Sequence, residues 1–528
     1  MYSFHNFLCS VTKTQLAGLP QSTLSLLAQN AIAGGSKHAA ATTGPWKLSL
    51  DRPVYVAVMK HCTNASLRKQ MFRANASKGS TPPHDNSATL VEILRLRQER
   101  ALLLGFKSFA ELTLADKMAS SVSEVETLLA DLKQRAMPKA RAELVRLQEY
   151  ATSHGHTGAL QLWDVDFWSE RMRVDEYNLD DEVVKEYFPL ARVLAGMFEL
   201  TLQLFGVQIE VADAGAMETW HPDVLVFNMH AMEQPGTPVI GHFYLDPFVR
   251  SDDKVPGSWM NIIACRSKVL RTTTASVRLP VFSISLNQTP PVDGANDSLM
   301  AFSDVEHLFH SFGYGLKAAL VASDYTAASN WNGLEWDAME IVSQFMENFI
   351  YHRPTVQLIS SHVVTGASLP DALFHKCVAA RTFMSANKLL RQLYLAHIDL
   401  SLHHDVDLTS NDAQHHAAAV FGVQARLAAE YCVLPPLPDD RYLCTFTHLF
   451  GGSYAASYYS YQWSGVLSAD AFGAFEEASS ISEWEAMGRK FRDTMLALMG
   501  PQHPMDVFAK FRGRPPTSDA LLQLCGLD

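Results

Sequence analysis

The strongest constraint on the fold is a change of hydrophobic period along the chain. Apolar residues recur at helical spacing through about the first 210 residues, alternate with polar ones between about 220 and 290, and return to helical spacing from 300 almost to the C-terminus. In SVSEVETLLADLKQRA, Ser123 stands three residues before Glu126, a capping-box pattern, and Val125, Leu128, Leu129 and Leu132 share one helix face. LVEILRLRQERALLLGF reads as another helix, and Ser/Thr/Pro/Gly-rich stretches at 34–44 and 78–87 read as loops. HFYLDPFVR and VRLPVFSISLN read as strands, with Pro247 and Pro280 expected at edges or strand ends. No internal repeat is visible. The expected fold class is mainly α, with one small β-sheet in the middle of 528 residues. That length suits roughly three domains' worth of chain, at about 100–200 residues each.

Charge and cysteine usage narrow the function. Lys and Arg number 43 against 55 Asp and Glu, a net charge of -12, which argues against nucleic acid or an anionic membrane as partner. The seven cysteines are scattered without a CxxC pair and read as buried thiols in a reducing compartment. The most apolar stretch, 190–207, is interrupted by Arg192 and Glu199, so no membrane span is expected. The opening MYSFHNFLCSVTKTQ lacks a basic region ahead of its apolar residues and makes a poor signal peptide. A cytoplasmic location is expected.

Two segments carry the candidate chemistry. In SDVEHLFHSFGYGLKAAL, Ser303 and Glu306 form a capping-box pattern, and Val305, Leu308, Phe309, Phe312 and Leu316 form one apolar stripe. His307, His310 and Tyr314 fall on the opposite side of that helix. His310-Ser311-Phe312-Gly313-Tyr314 stands where H-E-F-G-H would be a metallopeptidase motif: two histidines at i and i+4 on a zinc, with a glutamate between them to activate its water. GLEWDAMEIVSQFMENFIY reads as a second helix. Its Met339, Val342, Met346, Phe349 and Ile350 are apolar, and Glu340, Gln344 and Glu347 align on another face.

At this point the chain resembles the thimet oligopeptidase and oligopeptidase A family of zinc metallopeptidases. The resemblance runs through WDVDFWSER, WHPDV, FYLDPFVR, LPVFSISLN, LEWDAMEIVSQFMEN and RDTMLALMGPQHPMDVFAKFRGRPPTSDALL, and is most specific in HLFGGSYAASYYSYQW. It implies two helical halves around a deep channel that admits short peptides: residues 1–215 as a channel-wall domain shortened at its N-terminus, and 216–528 as the catalytic domain. His310 and Glu340 match zinc ligands, Ser311 stands at the general base, and Tyr314 stands at the second zinc histidine. His448, Tyr454, Tyr458 and Tyr461 match a segment that binds substrate, with His448, Tyr454 and Tyr461 also serving catalysis by stabilising the oxyanion.

The departures set the functional expectation. A catalytic zinc needs three protein donors and an open position, and two matching donors remain. Serine cannot act as the base, and a phenol is a poor zinc ligand near neutral pH. His307 as a substitute ligand would draw a metal along the helix, away from Glu340. Ser311 as a nucleophile has no placed base and no strained elbow. The loop TAASNWNGLEWD keeps only Gly333 and is expected to be less mobile, while Gly451-Gly452 suggests a flexible binding loop. The tyrosines alone read equally well as packing; with the resemblance they read as substrate contacts. Three readings stay open: a pseudo-peptidase that binds short peptides with zinc weak or absent; an active zinc oligopeptidase with altered ligands; and a non-enzymatic subunit whose protein partner covers the shortened N-terminal side.

Overall fold

The computed structural model describes residues 9–213, 215, 217–250, 254, 257–291, 297–409 and 412–527. The first eight residues, which begin the stretch read above as a poor signal peptide, lie outside them, as does the Cys9 side chain. The chain is mainly helical. Strands β1 (Cys9–Val11) and β2 (Trp46–Leu48) pair as a short antiparallel ribbon. Helices α1 (Ser87–Leu103), α2 (Val122–Ser153) and α3 (Leu190–Phe205) lead into one five-stranded sheet. It comprises β3 (Val207–Val211), β4 (Leu225–Ala231), β5 (Val239–Phe248), β6 (Trp259–Ala264) and β7 (Val281–Gln288) in the order β3-β4-β5-β7-β6. Only β5 and β7 run parallel. Beyond the sheet lie α4 (Phe302–Leu320), α5 (Glu340–Glu347), α6 (Ser385–His404) and α7 (Ser460–Glu476).

Pro247 sits near the end of β5, an interior strand, where a register shift between Asp246 and Phe248 absorbs the missing donor. Pro280 immediately precedes β7, and its carbonyl accepts the His242 N–H. Two capping boxes differ from expectation. The α2 cap is Ser121, which accepts the Glu124 N–H, while Glu124 accepts the Ser120 N–H. At α4 the Asp304 carboxylate accepts the Ala301 N–H, so the helix starts before Ser303. In each case a second acidic residue upstream offered the same local pattern.

The α4 stripe is as expected: Val305, Leu308, Phe309, Phe312 and Leu316 are fully buried. Each such side chain contributes about 1.5–3 kcal/mol by burial. Phe312 meets Phe243 of β5 edge-on at 6.2 Å, and Phe243 stacks on Phe282 of β7 at 5.1 Å. On its other side α4 approaches α5 closely. A Cβ on Gly313 would lie 2.7 Å from both the Ser343 Cα and the Val342 carbonyl, so only glycine permits this spacing. The segment read as one helix around Glu340 is three pieces: a 3-10 turn at Trp336–Ala338, α5, and a second 3-10 turn at Asn348–Tyr351.

The main hydrophobic core draws residues from Leu90 to Leu527, and a separate cluster spans Val11 to Met71. Cys62, Cys265, Cys377 and Cys444 are buried free thiols, and Cys432 and Cys525 are half-buried ones.

Candidate active site

The close approach of α4 and α5 brings His310, Tyr314 and Glu340 together. Glu340 is 1% exposed and forms the floor of a cleft of about 670 Å³. The Tyr314 hydroxyl donates to Glu340 Oε2 at 2.5 Å, and the Ser343 hydroxyl donates to the same oxygen at 3.0 Å. Glu340 Oε1 accepts the Tyr454 hydroxyl at 2.8 Å. His310 presents Nε2 at 3.5 Å from Glu340 Oε2 and Nδ1 at 2.5 Å from Glu347 Oε1. Glu340 and Glu347 are seven residues apart, nearly two helical turns, which is why one imidazole meets both.

The electrostatics follow from this crowding. Burial works against a charged His310, but the Glu347 hydrogen bond and the charges of Glu347, Glu340 and Glu306 outweigh it and hold its pKa above the ordinary histidine value. Burial, then the neighbouring Glu340 charge, holds the Tyr314 phenol well above its usual range. Tyr454 is raised for the same two reasons, and Tyr461 is pushed up to about 12 by burial and Glu340. Partial burial lowers His448, with Glu340 pulling the other way.

The segment 448–461 supplies the opposite wall. His448, Tyr454 and Tyr461 line the cleft, and Tyr454 and Tyr461 stack at 4.9 Å. Tyr458 is buried and points elsewhere: its hydroxyl donates to Gln392, and it meets His448 edge-on at 5.5 Å. Ser311 is 3% exposed and lines the cleft, while His307 is exposed and does not. A Cβ on Gly452 would lie 3.1 Å from the His448 carbonyl, and one on Gly333 1.9 Å from the Ala327 carbonyl, so both glycines serve close backbone approaches.

Two buried carboxylates escaped the sequence reading. Asp399 of α6 accepts the N–H groups of Ala456 and Tyr458, each at 2.8 Å, and pairs with His403. It thereby fixes the tyrosine segment where Ala456 adopts φ 53°, a left-handed conformation costing about 1–2 kcal/mol for a residue with a Cβ. Asp337 accepts the N–H groups of Met118 and Ala119 and the Tyr459 hydroxyl, joining the start of α2 to the cleft. Neither role has a local signal, because the backbone donors and the phenol they gather lie 57 to 219 residues away.

The donor set does not fit a catalytic zinc. One imidazole and one carboxylate face the cleft, a phenol stands where a second imidazole would, and the carboxylate already receives the hydroxyls of Tyr314 and Tyr454; Glu347 on the other nitrogen of His310 would orient that ring but adds no donor. Among the described residues no three His, Cys, Asp or Glu side chains gather in a metal-binding arrangement, and no helix is long and apolar enough to cross a membrane.

Known proteins give this geometry its context. The chain is 42% identical over 519 residues to the organellar oligopeptidase A, chloroplastic/mitochondrial, of Arabidopsis thaliana, covering 98% of this chain and 64% of that protein. It therefore spans less than two thirds of that relative's length. Oligopeptidase A of Escherichia coli K12 is 35% identical over 520 residues, covering 98% of this chain and 73% of that protein. Among solved structures, PZ peptidase A with inhibitor 2 shares the fold with a TM-score of 0.52 at 12% identity, over 96% of this chain and 74% of that one. The family model for peptidase family M3 matches residues 58–527. A helical fold of that type, relatives matched along nearly the whole chain, and a His310–Glu340 pair at the α4–α5 contact lead to one assignment: this chain belongs to peptidase family M3.

Proposed function

We propose that the chain is a peptide-binding member of its family in which zinc-dependent hydrolysis is lost or severely reduced. The carrying observation is the Tyr314–Glu340 hydrogen bond at 2.5 Å. It puts a phenol on the glutamate at the position where the family motif has its second histidine. Burial and the Glu340 charge raise that phenol well above its usual range, and a phenol is in any case a poor zinc donor near neutral pH. Ser311 stands at the general-base position without a carboxylate to accept a proton. Loss of a positioned base alone costs typically 10²–10⁴-fold in rate, about 3–5 kcal/mol of barrier.

What remains suits an extended peptide. β6 is the edge strand of the sheet, and its Trp259, Met260 and Asn261 line the cleft. An edge strand offers unpaired backbone groups to a peptide laid alongside it. His448, Tyr454 and Tyr461 face it from the opposite wall and serve as substrate contacts, while Tyr458 supports His448 from behind. The division into a channel-wall half, 1–215, and a catalytic half, 216–528, belongs to the same proposal. The free thiols support a reducing compartment such as the cytoplasm.

The test is hydrolysis of internally quenched short peptides by the purified chain in zinc-containing buffer, beside the S311E/Y314H double variant. The unmodified chain should show turnover at background or at least a hundredfold below that of the double variant. Chelator-sensitive turnover by the unmodified chain at a rate similar to that of the double variant overturns the proposal.

A further inference from the structure

The cleft that lacks a zinc donor set holds more carboxylates than cations: His310, with Nε2 at 3.5 Å from Glu340 Oε2, is its one basic group besides His448 among the described lining residues. Glu306, Glu340 and Glu347 all act on His310, and among the described residues no lysine or arginine lines the cleft. Arg381 lies outside the lining, stacked on Tyr351 at 4.1 Å and donating to Asn348, where it offsets Glu306. The two remaining carboxylates face one imidazole.

Glu340 is also not saturated as an acceptor. Its Oε2 receives two hydroxyls, whereas Oε1 receives only that of Tyr454. A carboxylate oxygen accepts two hydrogen bonds, so Oε1 keeps one direction open. Aromatic side chains line the same cleft as this carboxylate. Tyr314 and Tyr454 aim their hydroxyls at it; Trp331 meets Tyr314 edge-on at 5.7 Å, and Trp336 meets Tyr454 edge-on at 5.3 Å. Tyr461 extends the same wall. A buried carboxylate supplies a charge-assisted hydrogen bond, and ring faces attract cations through their quadrupoles. Together they describe a receptor for an organic cation.

We infer that the cleft selects peptides by an ammonium group, held against Glu340 Oε1 between the tyrosine and tryptophan rings. The inference rests on the peptide-binding reading above and names the ligand chemistry of that site. A free amino terminus and a lysine side chain offer the same group.

Isothermal titration of the unmodified chain in EDTA-containing buffer at pH 7 tests it with three probes. These are Ala-Leu-Phe-Ala-Leu amide with a free amino terminus, its Nα-acetyl form, and the Nα-acetyl form carrying Lys in place of the first Ala. The free peptide should bind at least tenfold more tightly than the acetylated one. Recovery of affinity in the acetylated lysine peptide assigns the site to any ammonium; no recovery assigns it to the amino terminus. Glu340→Gln should bring the free-to-acetyl ratio near one, with thermal unfolding confirming that the variant is folded. Equal, measurable affinities for the free and acetylated peptides overturn this inference and leave the peptide-binding reading standing. A tenfold ratio that persists in folded Glu340→Gln also overturns it, by moving the cation elsewhere. Absence of binding by every probe overturns both, and chelator-sensitive cleavage at a rate similar to that of the S311E/Y314H variant overturns the loss of hydrolysis alone.

Discussion

The two walls of the cleft differ in what holds them. On the α4–α5 floor, contacts between neighbouring side chains dominate: Tyr314, Ser343 and His310 converge on Glu340, and Gly313 lets the helices close. The 448–461 wall is held from behind, by Asp399 and Asp337 accepting backbone N–H groups and a phenol from distant segments. The floor presents hydroxyls to Glu340, while the wall brings His448, Tyr454 and Tyr461 to the cleft. Fold and site chemistry are thus separable. Replacing two side chains on the floor leaves the helix packing intact, because the buried stripe of α4 and the glycine contact carry it, not the polar face.

The comparison can be broken first at the wall. Asp399→Ala removes a buried carboxylate that holds two backbone donors and His403, and should cost about 3–5 kcal/mol in urea unfolding while displacing the tyrosine segment. A loss below 1 kcal/mol would mean that the wall does not depend on that anchor.

The next effect belongs to the floor helix. Lys317 of α4 is buried and donates to the Leu496 and Met499 carbonyls, and burial lowers its pKa to about 7. The unfolded chain holds that proton up to about pH 10.4, so between those values the unfolded state binds more protons and stability rises with pH. Lys317→Met should therefore gain most over the parent chain at pH 6. That advantage should shrink by roughly 2–4 kcal/mol by pH 10, read from denaturant midpoints at each pH. An advantage independent of pH would contradict the assignment.

Gly313→Ala should cost about 1–3 kcal/mol, because its Cβ meets the α5 backbone at 2.7 Å. It also separates Tyr314 from Glu340, which ultraviolet difference spectroscopy of the tyrosines would register. Tyr454→Phe is the mildest change. It removes one hydroxyl from Glu340 Oε1 and should cost about 1 kcal/mol by thermal unfolding, with the fold unaltered.

Periodicity made much of this legible. The α4 stripe, the opposed His310 and Tyr314, the Glu340–Glu347 face and strands β5 and β7 follow from spacing, because one repeat fixes which residues share a face, whereas β3, β4 and β6 were not picked out. Helix starts were less legible, since Ser123 with Glu126 and Ser303 with Glu306 mimic caps that Ser121 with Glu124, and Asp304, provide. Gly333 and Gly452 read as matters of mobility, yet each sits where another backbone segment passes too closely for a Cβ. Asp337 and Asp399 were invisible because a carboxylate that gathers distant backbone donors leaves no periodic trace. The aim of Tyr458 away from the cleft likewise depends on Gln392, 66 residues earlier.

Zinc content reads out the donor set of the floor. The purified chain and its S311E/Y314H variant are dialysed against micromolar zinc, passed through a desalting column and measured by plasma mass spectrometry. The account predicts well under one tenth of a zinc per parent chain and close to one per variant chain. One tightly held zinc per parent chain, with His310 and Glu340 as ligands, would contradict it.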